Sequence, residues 1–312
     1  MTDPVTVGGA DIFHSLSIIW VLMVASLGLS VLAIVFSMRR LRRNRPVRQV
    51  SPARSVSGEI AVEPSRNVMR ESQKNGHSAD AALVHWSPQT LRTILDDELP
   101  GAQVIVVSNR EPYIHNRSGD GIDLVVPASG LVSALEPITR ACAGTWIAYG
   151  GGTADRLTVD ENDRVEVPPD KPSYTLRRVW LTEEEHQGYY LGFANEGLWP
   201  LCHIAFTRPL FRASDWETYE AVNRRFADTV VAEARNERPI VLVQDYHFAL
   251  LPRMIRERLP EAIVITFWHI PWPNSEVFSI CPWREKILDG LLGSSIIGFH
   301  TRFHCNNFVE SV

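Results

Sequence analysis

The residues best equipped for chemistry sit where apolar runs stop. In TFWHIPWPNSEVF, residues 266 to 278, His269 closes a strand-like stretch and precedes Ile270-Pro271-Trp272-Pro273. Proline offers no N–H to a strand ladder and biases the residue before it toward extended geometry, so the strand must end at the imidazole. Three other apolar runs end in polar or flat groups: Asn109-Arg110, Tyr149 with Gly150-Gly151-Gly152, and Asp245-Tyr246-His247. A permanently charged guanidinium suits a phosphate, and the Asp245 carboxylate can accept from sugar hydroxyls. Ser129-Gly130, small residues at a predicted helix start, let backbone N–H groups approach an anion. Tyr190 and Trp199 add flat surfaces of the kind that stack on sugar rings, in YYLGFANEGLWPLCH (189–203), a segment too irregular for core alone. The candidate catalytic residues are therefore His269 and Asp245. The candidate substrate-binding residues are Arg110, Ser129, Gly130, Tyr149, Tyr190 and Trp199, whereas His247 reads as a structural histidine.

These side chains need a scaffold that gathers strand ends along one edge. QVIVVSN (103–109), TWIAYG (145–150), IVLVQD (240–245), AIVITFWH (262–269) and SIIGFH (295–300) are near-continuous apolar runs, as expected of strands buried on both faces. Helix-like segments separate them: LVSALEPITRA (131–141), a long stretch after Ser214, and LLPRMIRERL (250–259). Ser214-Asp215-Trp216-Glu217 and Thr182-Glu183-Glu184-Glu185 both have the capping-box pattern, the second opening a helix that carries Tyr189 and Tyr190. Strand and helix in alternation predict right-handed crossovers and an α/β, Rossmann-like parallel sheet, whose ligands bind at the carboxyl edge. No G-x-G-x-x-G follows the first strand, which disfavours a nicotinamide or flavin dinucleotide.

Charge narrows the function further. Residues 1–60 hold Asp3, Asp11 and Glu59 against seven arginines, a net of +4, which leaves −9 for the remainder of a chain at −5 overall. An acidic folded part argues against a nucleic-acid partner, which calls for a basic surface. Cys142, Cys202, Cys281 and Cys305 form no C-x-x-C pair, so they read as free thiols in a reducing compartment. His300-x-x-x-His304-Cys305 has helical spacing but lacks a fourth ligand, and no metal site is expected.

The amino-terminal part divides differently. After a short tail (1–11), residues 12–38, IFHSLSIIWVLMVASLGLSVLAIVFSM, are 27 positions without a charge, against the roughly 20 needed to cross a bilayer. The basic cluster RRLRRNRPVR follows, so the positive-inside rule predicts a single-pass helix in the cell membrane with its N-terminus outside and the folded domain cytoplasmic. Residues 39–84 read as a basic, then disordered, linker. The folded domain is placed at 85–312.

Five stretches in order, VVSNREPY, PASGLVSALEP, GYYLGFANEGLWPLCH, VQDYHFALLP and FWHIPWP, resemble the retaining glycosyltransferases typified by trehalose-6-phosphate synthase, over about residues 103–312. The resemblance implies two Rossmann domains of the GT-B type, a nucleotide-glucose donor such as UDP-glucose as co-substrate, glucose 6-phosphate as acceptor, and no cofactor or catalytic metal. It further implies that Arg110, Tyr190 and Trp199 hold the acceptor and its phosphate, and that Ser129-Gly130 approaches the donor diphosphate. Asp245 is then expected to bind sugar hydroxyls, and His269 to donate to the donor glucose near the reacting centre.

Several positions depart from the family pattern. Ser129 stands for the first glycine of Gly-Gly-Leu, Tyr149 for a common tryptophan, Gln244 for the usual histidine before Asp-Tyr-His, and Trp272 for the phenylalanine of His-Ile-Pro-Phe-Pro. They leave the acceptor open: glucosylglycerol-phosphate synthases and pseudo-sugar transferases share the scaffold, and a non-catalytic membrane-tethered sugar-phosphate sensor is a further reading. The family continues past the point matching Val312 into a donor-binding domain, so this chain alone is expected to be a fragment with little or no transferase activity.

Overall fold

Hydrophobic residues in β1 (Val104–Arg110) alternate between the two faces of a sheet, and the folded part is organised around that alternation. The computed structural model describes residues 87–312. The predicted membrane helix at 12–38, the whole of the predicted 39–84 linker and the first two residues of the predicted domain lie outside those residues; among the described residues no helix is long and apolar enough to cross a membrane.

The remaining strands are β2 (Ile114–Ser118), β3 (Gly121–Val125), β4 (Thr145–Tyr149), β5 (Arg164–Val167), β6 (Tyr174–Val179), β7 (Ile240–Gln244), β8 (Ile263–Trp268) and β9 (Ile296–Phe299). Seven of the nine form one sheet in the order β5-β6-β4-β1-β7-β8-β9, while β2 and β3 pair as a separate antiparallel hairpin. Every pairing in the large sheet is parallel except that of the edge strand β5 with β6. With β5 set aside, the parallel strands follow the doubly wound order, in which the chain reverses direction across the sheet between β1 and β7. The five apolar runs read from the sequence are β1, β4, β7, β8 and β9. β5, β6 and the hairpin escaped that reading because their side chains mix charge with apolar groups, so the α/β sheet is mostly rather than wholly parallel.

Ile105, Val107, Val241, Val243 and Val264 pack with Tyr219, Val222, Phe226 and Val230 of the long helix Ala213–Glu233 on one face. Val104, Val106, Ile240, Leu242 and Ile265 pack on the other, against Leu91 and Leu95 of helix Pro88–Glu98 and Val132, Leu135 and Ile138 of helix Gly130–Ala141. The Thr182 capping box is present as expected. That at Ser214 is not: the helix begins at Ala213 with Arg212 as N-cap, two residues before the expected cap, and Asp215 instead faces Arg212 at 2.9 Å. An ion pair thus takes the carboxylate near the helix start, and no side chain caps that end.

From Gln187 to Leu198 the helix widens to π geometry, and this places Tyr189 and Tyr190. Gly188, Gly192 and Gly197, four and five residues apart, meet the segment 210–218 so closely that a Cβ on each lands 2.9 Å from Thr218 Oγ1, 2.5 Å from Asp215 Oδ2 and 3.0 Å from the Leu210 carbonyl. Close approach of the two backbones is what the glycines permit, and π turns of this kind gather at functional sites.

Beneath the carboxyl ends of β1 and β4 lies Arg178 of β6, with no solvent exposure. Its Nε donates to Glu111 Oε2 (2.9 Å), and Nη2 lies 2.8 Å from Asp155 Oδ1, donates to the Tyr113 carbonyl (3.1 Å) and to His115 Nδ1 (2.8 Å). Nη1 donates to the Asp155 carbonyl and Thr158 Oγ1. Burial pushes Glu111 up to about 8, with a further rise from its contact to Asp155, and burial also pushes His115 down. Near neutral pH Glu111 therefore keeps its proton and His115 is neutral, and Arg178 is the cation around which the buried carboxyl groups gather. Replacing Arg178 by Met leaves buried carboxyl groups without a cation. This is expected to lower stability by roughly 3–5 kcal/mol, read from urea unfolding midpoints.

Candidate active site

β1 and β4 run in register from Ile105 opposite Thr145 to Ser108 opposite Ala148, then slip so that Arg110 faces Tyr149. Asn109 is the extra residue, and a bulge of this kind re-aims the side chain that follows it. Ser108 anchors the turn: its Oγ donates to the Arg110 carbonyl (2.7 Å) and accepts from Trp146 Nε1 (2.8 Å). Arg110 itself is exposed, and its guanidinium makes no ion pair or hydrogen bond among the described residues. A guanidinium left unpaired beside Tyr149 is open to an anion.

Across the reversal point, β7 ends at Gln244 and Asp245 turns away with φ +76° and ψ 173°. A non-glycine residue in that conformation is strained, and such strain gathers at functional sites. Asp245 Oδ1 accepts from the backbone N–H of Tyr246 (2.9 Å) and of His269 (3.2 Å), which joins the ends of β7 and β8. Burial pushes the Asp245 carboxyl up to about 7 despite those two donors. His269 stands one residue beyond β8, its ring against Phe267 and His300 with centroids 4.6 and 5.6 Å away, and its Nε2 lies 2.9 Å from Gln244 Oε1. Burial, and then the neighbouring His300, hold it down at about 4, so the imidazole is neutral at physiological pH.

An aromatic series bridges the two halves of the rim. Tyr149 stacks on His186 at 5.3 Å, His186 on Tyr190 at 5.1 Å, Tyr190 on His247 at 5.4 Å, and His247 meets Tyr246 at 4.2 Å. The Tyr190 ring, expected to offer a flat surface to a sugar, is stacked on two imidazoles. His247 is buried, its Nε2 has no partner, and burial followed by the charges of His269 and Arg110 pushes it down to about 3. It is structural in its packing.

Ser129 and Gly130 open the helix Gly130–Ala141 with extended geometry at Ser129 and no side-chain cap, and a Cβ at Gly130 meets nothing within 4 Å. The amides of that helix end are accordingly unobstructed. Trp199 is 43% exposed and stacks on His203 at 4.1 Å, apart from the series just described. The structure thus brings Tyr149 and Tyr190 into one series with Arg110 opposite Tyr149 in the strand register, joins Asp245 to His269, and leaves Trp199 outside those contacts. Sequence reading noted Tyr246, whose hydroxyl donates to Asn195 Oδ1 (2.8 Å), and Gln244 without naming either as a site residue. It overlooked Arg178, although Tyr174, Leu176 and Arg178 share the inward phase of β6, a period-two signal pointing a charge into the interior. The residues of the His300-x-x-x-His304-Cys305 pattern have separate partners: His300 faces Phe267 and His269, while His304 Nδ1 lies 3.2 Å from the Trp272 carbonyl.

Residues 102–312 match the sequence profile of glycosyltransferase family 20. The chain belongs to that family. It is 39% identical over 210 residues to the trehalose-6-phosphate synthase of Mycolicibacterium vanbaalenii, covering 67% of this chain and 42% of that protein, and 40% identical over 208 residues to that of Mycobacterium avium, covering 66% and 41%. Solved structures share the fold: the trehalose-6-phosphate synthase from E. coli bound with UDP-2-fluoro glucose has a TM-score of 0.55 at 25% identity, covering 67% of this chain and 42% of that one. A UDP-forming synthase from Burkholderia xenovorans gives 0.53 at 26%, covering 67% and 41%. This family 20 chain spans about two fifths of the length of the relatives it matches.

A buried carboxyl raised from 3.8 to about 7 keeps its proton in the folded state where the unfolded chain has lost it. Stability from Asp245 therefore falls as pH rises between those values, and the cost is complete above 7. Asp245→Asn keeps the acceptor oxygen without the charge. It is expected to raise the melting temperature at pH 8 by on the order of 5 °C, a gain that fades toward pH 4 in a thermal-unfolding series.

Proposed function

We propose that this chain supplies the acceptor-binding half of a retaining glucosyltransferase of the trehalose-phosphate synthase type, which moves glucose from UDP-glucose to the hydroxyl of glucose 6-phosphate. The observation that carries the reading is the unpaired Arg110, set opposite Tyr149 by the bulge, on the same rim as the Asp245–His269 pair. A phosphorylated sugar supplies an anion for the first and hydroxyls for the second. The relatives' names and the UDP-2-fluoro glucose held by the E. coli structure favour a nucleotide-glucose donor.

In this reading the protein's part is positioning and electrostatic support. Arg110 fixes the acceptor phosphate, the open amides at Ser129-Gly130 face the donor diphosphate, and Asp245 and the neutral His269 hold sugar hydroxyls by hydrogen bonds. Front-face attack lets the departing phosphate oxygen take the acceptor proton, which accounts for retention without a side chain acting as base. Residues 12–38 are proposed to anchor the enzyme as a single span with the folded domain on the cytoplasmic side.

Calorimetric titration of glucose 6-phosphate into the chain is expected to show binding that Arg110→Ala weakens by about 10- to 100-fold, the loss of a charge-assisted contact. Equal affinity in the two proteins overturns the reading, and tighter binding of glycerol 3-phosphate moves the acceptor to a smaller sugar alcohol. For the anchor, the expressed chain is expected to stay in the membrane pellet through alkaline carbonate washing, and a version lacking residues 1–38 to leave it.

A further inference from the structure

Gln244 ends β7 beneath His269, only 5% exposed, and its side chain has one hydrogen-bond contact among the described residues, the 2.9 Å approach of Oε1 to His269 Nε2. A carbonyl oxygen accepts and cannot donate, so the proton between them belongs to the imidazole. Phe267 and His300 bracket the ring, and the His269 backbone N–H is tied to Asp245 Oδ1, so the imidazole cannot turn to offer its other nitrogen to the amide. From these contacts we infer that Gln244 is a positioning residue that fixes His269 as the Nε2–H tautomer, so that Nδ1 faces the rim as a hydrogen-bond acceptor for a sugar hydroxyl.

This reverses the direction expected from the family resemblance, in which His269 donates. The substrate part of the inference rests on the proposed function; the tautomer does not. Burial keeps the ring neutral, so a single proton must choose between two nitrogens, and a neighbour that only accepts decides the choice. Because glutamine does not titrate, the choice holds across the physiological range. The amide N–H groups of Gln244 make no hydrogen bond among the described residues and are free to donate to the same sugar.

Nitrogen-15 NMR of the histidine-labelled 312-residue chain reads the tautomer directly, with His269→Asn to assign the signals. Wild type is expected to show a protonated Nε2 and a bare Nδ1. Gln244→Glu, which keeps an acceptor of the same length, is expected to preserve that pattern and raise the pH at which His269 titrates, against the opposing His300 and alongside Asp245. Gln244→Leu, which removes the acceptor, is expected to give a mixture of tautomers. A wild-type Nδ1–H form, or a Leu variant indistinguishable from wild type, overturns the inference. Addition of UDP-glucose or glucose 6-phosphate is expected to shift the Nδ1 resonance. If the tautomer is as stated and neither ligand moves it, the sugar assignment fails while the role of Gln244 in fixing the ring stands.

Discussion

One buried guanidinium holds the corner of the molecule on which the candidate site is built. Arg178 gathers Glu111 from the end of β1, His115 from the hairpin and Asp155 from the loop after β4. Three segments with little apolar surface of their own are thereby fixed to the sheet. A charge can be buried at this depth only when its partners satisfy it, and each partner here also accepts or lends a backbone hydrogen bond: Asp155 takes the N–H of His115 and of Gly152, and Glu111 takes that of Gly151. Arg110 is the residue immediately before Glu111. The network uses the Glu111 carboxyl group and leaves its neighbour's guanidinium unpaired at the surface.

The opposite side of the reversal point is organised by a carboxyl group rather than a cation. Asp245 adopts a strained backbone conformation and spends one oxygen on two amides, which welds the ends of β7 and β8 and sets His269 against Gln244. Both sides thus follow the same economy: a polar group is sacrificed to hold backbone in place, and a neighbouring side chain is left with unused hydrogen-bonding capacity. Between them runs the series of tyrosine and histidine rings, which fixes distance across the rim without adding charge. Such a rim is prepared for a ligand carrying an anion at one end and hydroxyls at the other.

The π-helical segment shows how packing shapes the site from behind. Three glycines let 187–198 lie against the start of the long helix, and the widened turn directs Tyr189 into the core and Tyr190 toward the rim. An ordinary α-helix through the same residues changes the direction of each side chain after the first turn, since the spacing of neighbours on a face differs. The stacking of Tyr190 on both His186 and His247 is a product of that geometry.

Sequence alone determined the frame. Near-continuous apolar runs marked the five strands β1, β4, β7, β8 and β9, prolines marked where β8 stops, and the polar residues just beyond the runs supplied most of the site, because each of these signals is local and periodic. The order of five short motifs pointed to the family. What tertiary structure decided was everything set by partners distant in the chain: the bulge that turns Arg110 to Tyr149, the 67-residue reach from Glu111 to Arg178, the stacking of Tyr190 on His247, and the 25-residue separation bridged by Gln244 and His269. Hydrogen bonds and ring contacts of that range follow no period along the sequence, since they exist only once the hydrophobic sheet has carried their partners to the same edge.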